Sequence, residues 1–72
     1  MVYILVQIDD EYGHMDFKGV FFSRIAGEAF IKESKDLSFV VECYEKLYTS
    51  MEEFNKENGC AGLVLFPTQI IG

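Results

Sequence analysis

Residues 18–33, which decide the fold, read KGVFFSRIAGEAFIKE. Their first apolar run is typical of a short strand, and Ser23 is a favoured residue for capping the first free N–H groups of a helix. Beyond the serine, apolar residues recur at helical spacing and predict a face that packs on the core: Ile25, Ala26, Ala29 and Phe30. Gly27 inside this helix costs about 0.5–1 kcal/mol relative to alanine, which a close packing contact would explain.

Four segments are predicted as strands. Residues 2–8 are apolar at both odd and even positions, which suits a central strand covered on more than one side. Residues 17–22 return antiparallel to it after a polar loop. Residues 37–44 alternate apolar with polar side chains, so we expect a strand with one apolar face, on which Cys43 fills the core. Residues 61–66 form the last strand, and Pro67 marks its end or an edge position.

A second helix is predicted to begin near Thr49 and Ser50. Each lies three residues before a glutamate, Glu52 or Glu53, so a capping box is available in two registers. The helix is expected to extend to Asn58. The predicted fold is therefore a single α+β domain over residues 1–72, with the order β-β-α-β-α-β. Its sheet is small and mixed, with three to four strands, and both helices pack on one face.

Composition limits the classes of partner. Twelve Asp and Glu residues against six Lys and Arg give a net charge of −6, which disfavours direct binding of nucleic acid or of an anionic membrane. A basic protein surface is the natural complement. No apolar run approaches the ~20 residues of a membrane span. No signal peptide is expected and two cysteines are most simply reduced thiols, so the sequence predicts a cytoplasmic protein.

Titratable residues crowd in the loop after the first strand. Asp10, His14 and Asp16 offer oxygen and imidazole ligands to a divalent metal ion, although the spacing of a calcium-binding loop is absent. His14 is also a candidate general base, but no nucleophile accompanies it. Glycine-rich phosphate-binding motifs and paired CxxC cysteines are missing. We therefore expect no enzyme, no cofactor and no metal site.

Acidic residues are the strongest candidates for contact with a partner. Carboxylates at phosphate-like separations compete with nucleic acid for a basic groove, while an ordinary solubilising surface would look the same. The candidates lie in the loop and on the second helix: Asp9, Asp10, Glu11, Tyr12, Asp16, Glu52, Glu53 and Glu57.

One segment resembles a class of short proteins common in bacteriophage and mobile-element genomes. The matching residues cover roughly the first two thirds of the chain: Gly19, Val20, Phe21, Ser23, Ala26, Phe30, Ile31, Val41, Glu42 and Tyr44. The resemblance implies a phage or mobile-element origin and a fold more than an activity. It also implies a role in which a small acidic protein binds and blocks a host protein, including the nuclease complexes of bacterial immunity.

Three hypotheses follow. The leading one is a non-catalytic protein-binding inhibitor, encoded by a phage or mobile element, that blocks a basic nucleic-acid-binding host protein, for example in an anti-CRISPR role. The first alternative is a structural or regulatory homo-oligomer, a homodimer in its simplest form, whose exposed aromatic residues make the interface. The second alternative is a metal-binding protein that uses the His14 loop.

Overall fold

The structure, a computed structural model, describes residues 1–9, 14–44, 46–57 and 61–70. Four strands lie in this part of the chain: β1 (Val2–Asp9), β2 (His14–Phe21), β3 (Leu47–Tyr48) and β4 (Ala61–Thr68). Three helices accompany them in the same residues: α1 (Arg24–Glu33), α2 (Lys35–Tyr44) and α3 (Met51–Glu57). The predicted α+β class and the small mixed sheet are confirmed.

The sheet has the strand order β2-β1-β4-β3. β1 is antiparallel to both of its neighbours, as expected for a central strand, and β3 runs parallel to β4. A bulge interrupts the pairing of β1 with β2. Leu5 faces Gly19 whereas Val6 faces Phe17, so Lys18 is the extra residue. Such a bulge increases the local twist of an edge strand.

Both faces of the sheet carry an apolar core, because β1 and β4 are apolar at both odd and even positions. One core joins Leu5, Leu63 and Leu65 to Ile31 of α1 and Leu37 of α2. The other joins Val6 and Val64 to residues of β3 and α3, namely Tyr48 and Phe54. The expectation that both helices lie on one face is therefore corrected: α1 and α2 cover one face, and α3 covers the other.

Residues 37–44 are helical, so the strand predicted there is wrong. Their apolar side chains satisfy strand alternation, but they also satisfy the helical spacing of Leu37, Val40 and Val41, and these are the ones that pack on the core. Phe39 and Cys43, which the alternation places inside, are exposed. Cys43 is therefore not core filler.

Ser34 explains why a helix begins at residue 35, because it caps the end of α1 and the start of α2. Its N–H donates to the carbonyls of Phe30 and Ile31, at 3.1 and 3.2 Å, and so closes α1. Its hydroxyl accepts from the N–H of Leu37 at 3.3 Å, as an N-cap of α2. Its extended backbone suits this capping position. A single residue thus ends α1 and begins α2.

The cap of α1 is confirmed, but its predicted inner face is not. Ser23 Oγ accepts from the N–H of Ala26 at 3.1 Å. The residues of α1 that are buried are Gly27 and Ile31. The four apolar residues predicted to face the core instead lie at the surface: Ile25, Ala26, Ala29 and Phe30. We call these four the α1 outer face. Gly27 packs closely against Leu65. This contact explains why a glycine is present despite its cost in helix propensity.

Candidate functional site

The acidic residues predicted in the loop are placed only in part. Asp9 ends β1 and is the strand partner of His14, so His14 belongs to β2 and not to the loop. Asp16 also lies in β2, opposite Gln7, and is exposed. Asp10, Glu11 and Tyr12 lie outside the described residues.

The predicted acidic residues of α3 are arranged around Lys46. The Lys46 Nζ atom is 2.5 Å from Glu53 Oε1 and also pairs with the carboxylate of Glu57. The hydroxyl of Thr49 donates to Glu53 Oε2 at 2.7 Å. Ser50 Oγ accepts from the N–H of Glu53 at 3.0 Å, which confirms the second of the two predicted capping registers. Lys46 thus links two acidic residues of α3 to the segment that enters the helix.

These contacts shift two pKa values in opposite directions. The hydrogen bond from Lys46, followed by that from Thr49, lowers the pKa of Glu53 from 4.5 to about 2. The hydrogen bonds to Glu53 and Glu57 hold the pKa of Lys46 above its ordinary value. Glu53 therefore stays ionised at neutral pH, and the ion pairs with Lys46 hold both carboxylates within the chain. Two of the predicted partner-binding carboxylates are thus already paired, whereas Glu52 and Asp16 are exposed and make no hydrogen bond or ion pair with the described residues.

The edge strand β2 exposes apolar residues on the α3 side of the sheet. The strand pairings place three residues of β2 on this face, opposite Val6, Ile8 and Ile4 of β1. Phe17 is 63% exposed, Met15 58% and Val20 51%. We call these three residues the open sheet face. Three large apolar side chains exposed side by side are characteristic of a binding surface.

The open sheet face and α3 lie next to each other in one layer. Phe54 of α3 packs on Val6 and Val64, in the two central strands. The residues of the open sheet face belong to β2, the edge strand beside β1. The exposed carboxylate of Glu52 projects from the same helix, so an apolar strip here adjoins an acidic helix. Such an apolar centre with a charged border resembles the anatomy of protein–protein interfaces.

The sequence predicted the acids but missed Met15, Phe17 and Val20. Their exposure depends on what covers each face of the sheet, and that in turn depends on where the helices pack. A signal was nevertheless present, because Met15 and Phe17 alternate with the charged residues Asp16 and Lys18. Alternation places Met15 and Phe17 on one apolar face of the strand, but it does not say whether a helix covers that face.

Chemistry-bearing side chains are sparse in the part of the chain that the structure describes. A shallow open groove of about 280 Å³ lies between the end of β1 and α2, and its lining includes Asp9, Phe39 and Cys43. Among the described residues, no three His, Cys, Asp or Glu side chains gather in a metal-binding arrangement. The His14 metal site requires Asp10, which falls outside that range.

Among the described residues the helices reach ten residues at most, well short of the length and apolar content that a membrane-spanning helix requires.

Comparison of the chain with protein-family models, with curated proteins and with solved structures gives no match.

Proposed function

We propose that this chain is a non-catalytic protein-binding inhibitor that uses the open sheet face, together with the acidic residues beside it, to block a basic protein. The single observation that carries the proposal is the adjacency of the open sheet face to α3. Phe17, Met15 and Val20 offer apolar area for affinity, and the exposed carboxylate of Glu52 on α3 offers negative charge.

Electrostatics favour a basic partner. A net charge of −6 on a 72-residue chain attracts a positive surface over several ångströms and raises the association rate, with a strong dependence on salt. Proteins that bind nucleic acid carry such a surface. In its sharpest form the proposal is a phage or mobile-element protein that acts in the host cytoplasm and occupies the nucleic-acid groove of a defence nuclease, as an anti-CRISPR protein does.

The test is affinity capture from a bacterial lysate with three forms of the chain. Phe17→Ser removes the largest side chain of the open sheet face. Phe39→Ser is the matched control, because Phe39 is equally exposed, at 65%, but lies on α2. We expect the wild type and the Phe39→Ser variant to capture the same basic protein, and the Phe17→Ser variant to lose it. Loss by both variants, or by neither, would contradict the proposed surface.

The charge component needs its own measurement on the captured partner. Glu52→Gln should lower the association rate constant at low salt and leave the dissociation rate nearly unchanged, because a charge at the border of an interface acts mainly on encounter.

Purified CRISPR nuclease ribonucleoproteins are the probe for the anti-CRISPR form of the proposal. Addition of the chain should slow DNA cleavage, and cleavage at an unchanged rate across the panel would exclude the anti-CRISPR role.

A further inference from the structure

The α1 outer face is a further exposed apolar surface in the part of the chain that the structure describes. α1 packs on the sheet through Gly27 and Ile31, and this orientation turns Ile25 outward until 79% of it is exposed. Phe22, just before the Ser23 cap, is 87% exposed. Ordinarily an apolar residue before an N-cap packs on the fourth residue of the helix, but here that residue is Gly27, which has no side chain to receive it.

The centre of this face is shaped for another helix. Ala26 and Ala29 are exposed and lie about one turn apart. Because the distance between two packed helices depends on the side chains at their contact, two alanines permit a close approach. Ile25 and Phe30 flank the alanines and would add apolar contact area. Arg24 and Glu28, both half-exposed, pair with each other at 3.0 Å, and neither belongs to the α1 outer face.

The charges at the two ends of α1 indicate what covers it. The first turn contains no acidic residue and begins with Arg24, so the positive end of the helix dipole is not compensated by an acid there. Glu33 ends the helix and is exposed, where the dipole of its own helix disfavours a negative charge. A second α1 in antiparallel orientation places each Glu33 beside the first turn of the other copy, at the positive end of its helix dipole. The Glu33 carboxylate of each copy therefore complements the positive helix end of the other.

We propose that two copies of this chain associate through their α1 outer faces, with the helices antiparallel about a two-fold axis near Ala26 and Ala29. The same patch serves both copies, as in the commonest class of protein dimer. One helix face is smaller than the ~800 Å² per partner of a standard stable interface, so the dimer is weak and reversible. The pairing leaves the open sheet face uncovered and is independent of the proposed function.

Sedimentation velocity of the full chain between about 10 µM and about 1 mM tests the pairing, since weak dimers dissociate in this range. Wild type should shift from monomer to dimer as concentration rises. Ala29→Glu puts a charge at the centre of the face, and glutamate is a good helix former. It should raise the dissociation constant at least ~10-fold, because an unpaired charge is costly to bury. Asn55→Glu, which adds the same charge at an exposed position of α3, should leave it unchanged.

Two further variants complete the test. Glu33→Lys should weaken an antiparallel dimer, because the new lysine meets the positive end of the other copy's helix dipole, whereas in a parallel dimer it exchanges one like-charge pair for another. If circular dichroism shows that Ala29→Glu does not fold, Ile25→Ser takes its place. The proposal is overturned if wild type stays monomeric throughout, if Ala29→Glu dimerises like Asn55→Glu, or if Glu33→Lys has no effect. A dimer that is lost on Phe17→Ser alone also overturns it, because that result moves the interface to the open sheet face.

Discussion

Gly27 of α1 lies so close to Leu65 of β4 that a Cβ atom at position 27 would stand 2.9 Å from both Cδ atoms of Leu65. The same Cβ would stand 3.4 Å from Cδ2 of Phe21. Leu65 has no exposed surface, so its side chain cannot turn aside into solvent. The helix approaches the sheet closely because glycine occupies this position, and the approach decides which side of α1 faces outward.

The first prediction concerns this contact. Gly27→Ala should gain about 0.5–1 kcal/mol in helix propensity but lose about 1–3 kcal/mol to overpacking, for a net destabilisation of about 1 kcal/mol. In a Leu65→Val background the clash is relieved, so the same alanine should cost less or stabilise the fold. Urea unfolding of the four proteins measures this coupling. An alanine equally costly in both backgrounds would mean that the contact does not limit the approach.

The second prediction concerns Ser34. Ser34→Ala removes the hydroxyl that accepts from the N–H of Leu37 and should cost about 1 kcal/mol of unfolding free energy. Ser34→Asn keeps a capping oxygen and should recover most of that loss. The readout is the urea midpoint together with helix content from circular dichroism. If the two variants behave alike, the cap does not hold α2.

The third prediction concerns the loss of folding stability at acidic pH. The pKa of Glu53 is lowered to about 2 in the folded chain, and its ordinary value of 4.5 applies once unfolding removes the contacts with Lys46 and Thr49. A lowered folded-state pKa contributes stability above the unfolded value, and this stability is lost as the pH falls from about 4.5 toward about 2. Glu53→Gln should therefore flatten the fall in thermal midpoint across that window and lower the midpoint at neutral pH.

Glu52→Gln is the control for the acid measurement. It removes the same charge one residue earlier, but Glu52 is exposed and has no contact with Lys46 or Thr49 among the described residues. Its midpoint curve should keep the wild-type acid slope between pH 2 and 4.5. Identical curves for the two variants would show that the network around Lys46 does not stabilise the fold.

The fourth prediction separates the open sheet face from the core. Phe17→Ser should change the unfolding free energy by less than about 1 kcal/mol, the span of strand propensities, because its side chain is mostly exposed. Leu63→Ala, at a position with no exposed surface, should cost about 2–5 kcal/mol. Phe17→Ser should also reduce the fluorescence of a dye that binds apolar surface. Undiminished fluorescence would show that the open sheet face is not accessible.

Local signals in the sequence were sufficient for much of the fold. The apolar residues of β1 on both parities predicted a central strand, and Ser23 and Ser50 predicted the helix starts that their hydrogen bonds confirm. Residues 37–44 failed because one run of apolar residues satisfied two periods. Ser34 and Asp36, a cap and an acid in the first turn, decide in favour of the helix and were present in the sequence.

The features of the fold that were not predicted from the sequence depend on tertiary packing. The spacing of Ile25, Ala29 and Phe30 defines a helix face correctly, but it cannot say whether that face or the one with Gly27 meets the sheet. Likewise the acidic residues are visible in composition, whereas the pairing of Glu53 and Glu57 with Lys46 requires the turn between α2 and α3. The candidate surfaces could therefore be predicted only in part from sequence.

The central position of β4 has a consequence for synthesis of the protein. β4 lies between β1 and β3 and contributes Leu63, Val64 and Leu65, all without exposed surface, to the two cores. A ribosome adds about 5–20 residues per second, starting from the N-terminal side. Until residues 61–68 emerge, β1 has one open edge and neither core can close. The nascent chain must therefore wait for β4 before it folds, and a chaperone that shields β1 during those seconds would raise the yield of folded protein.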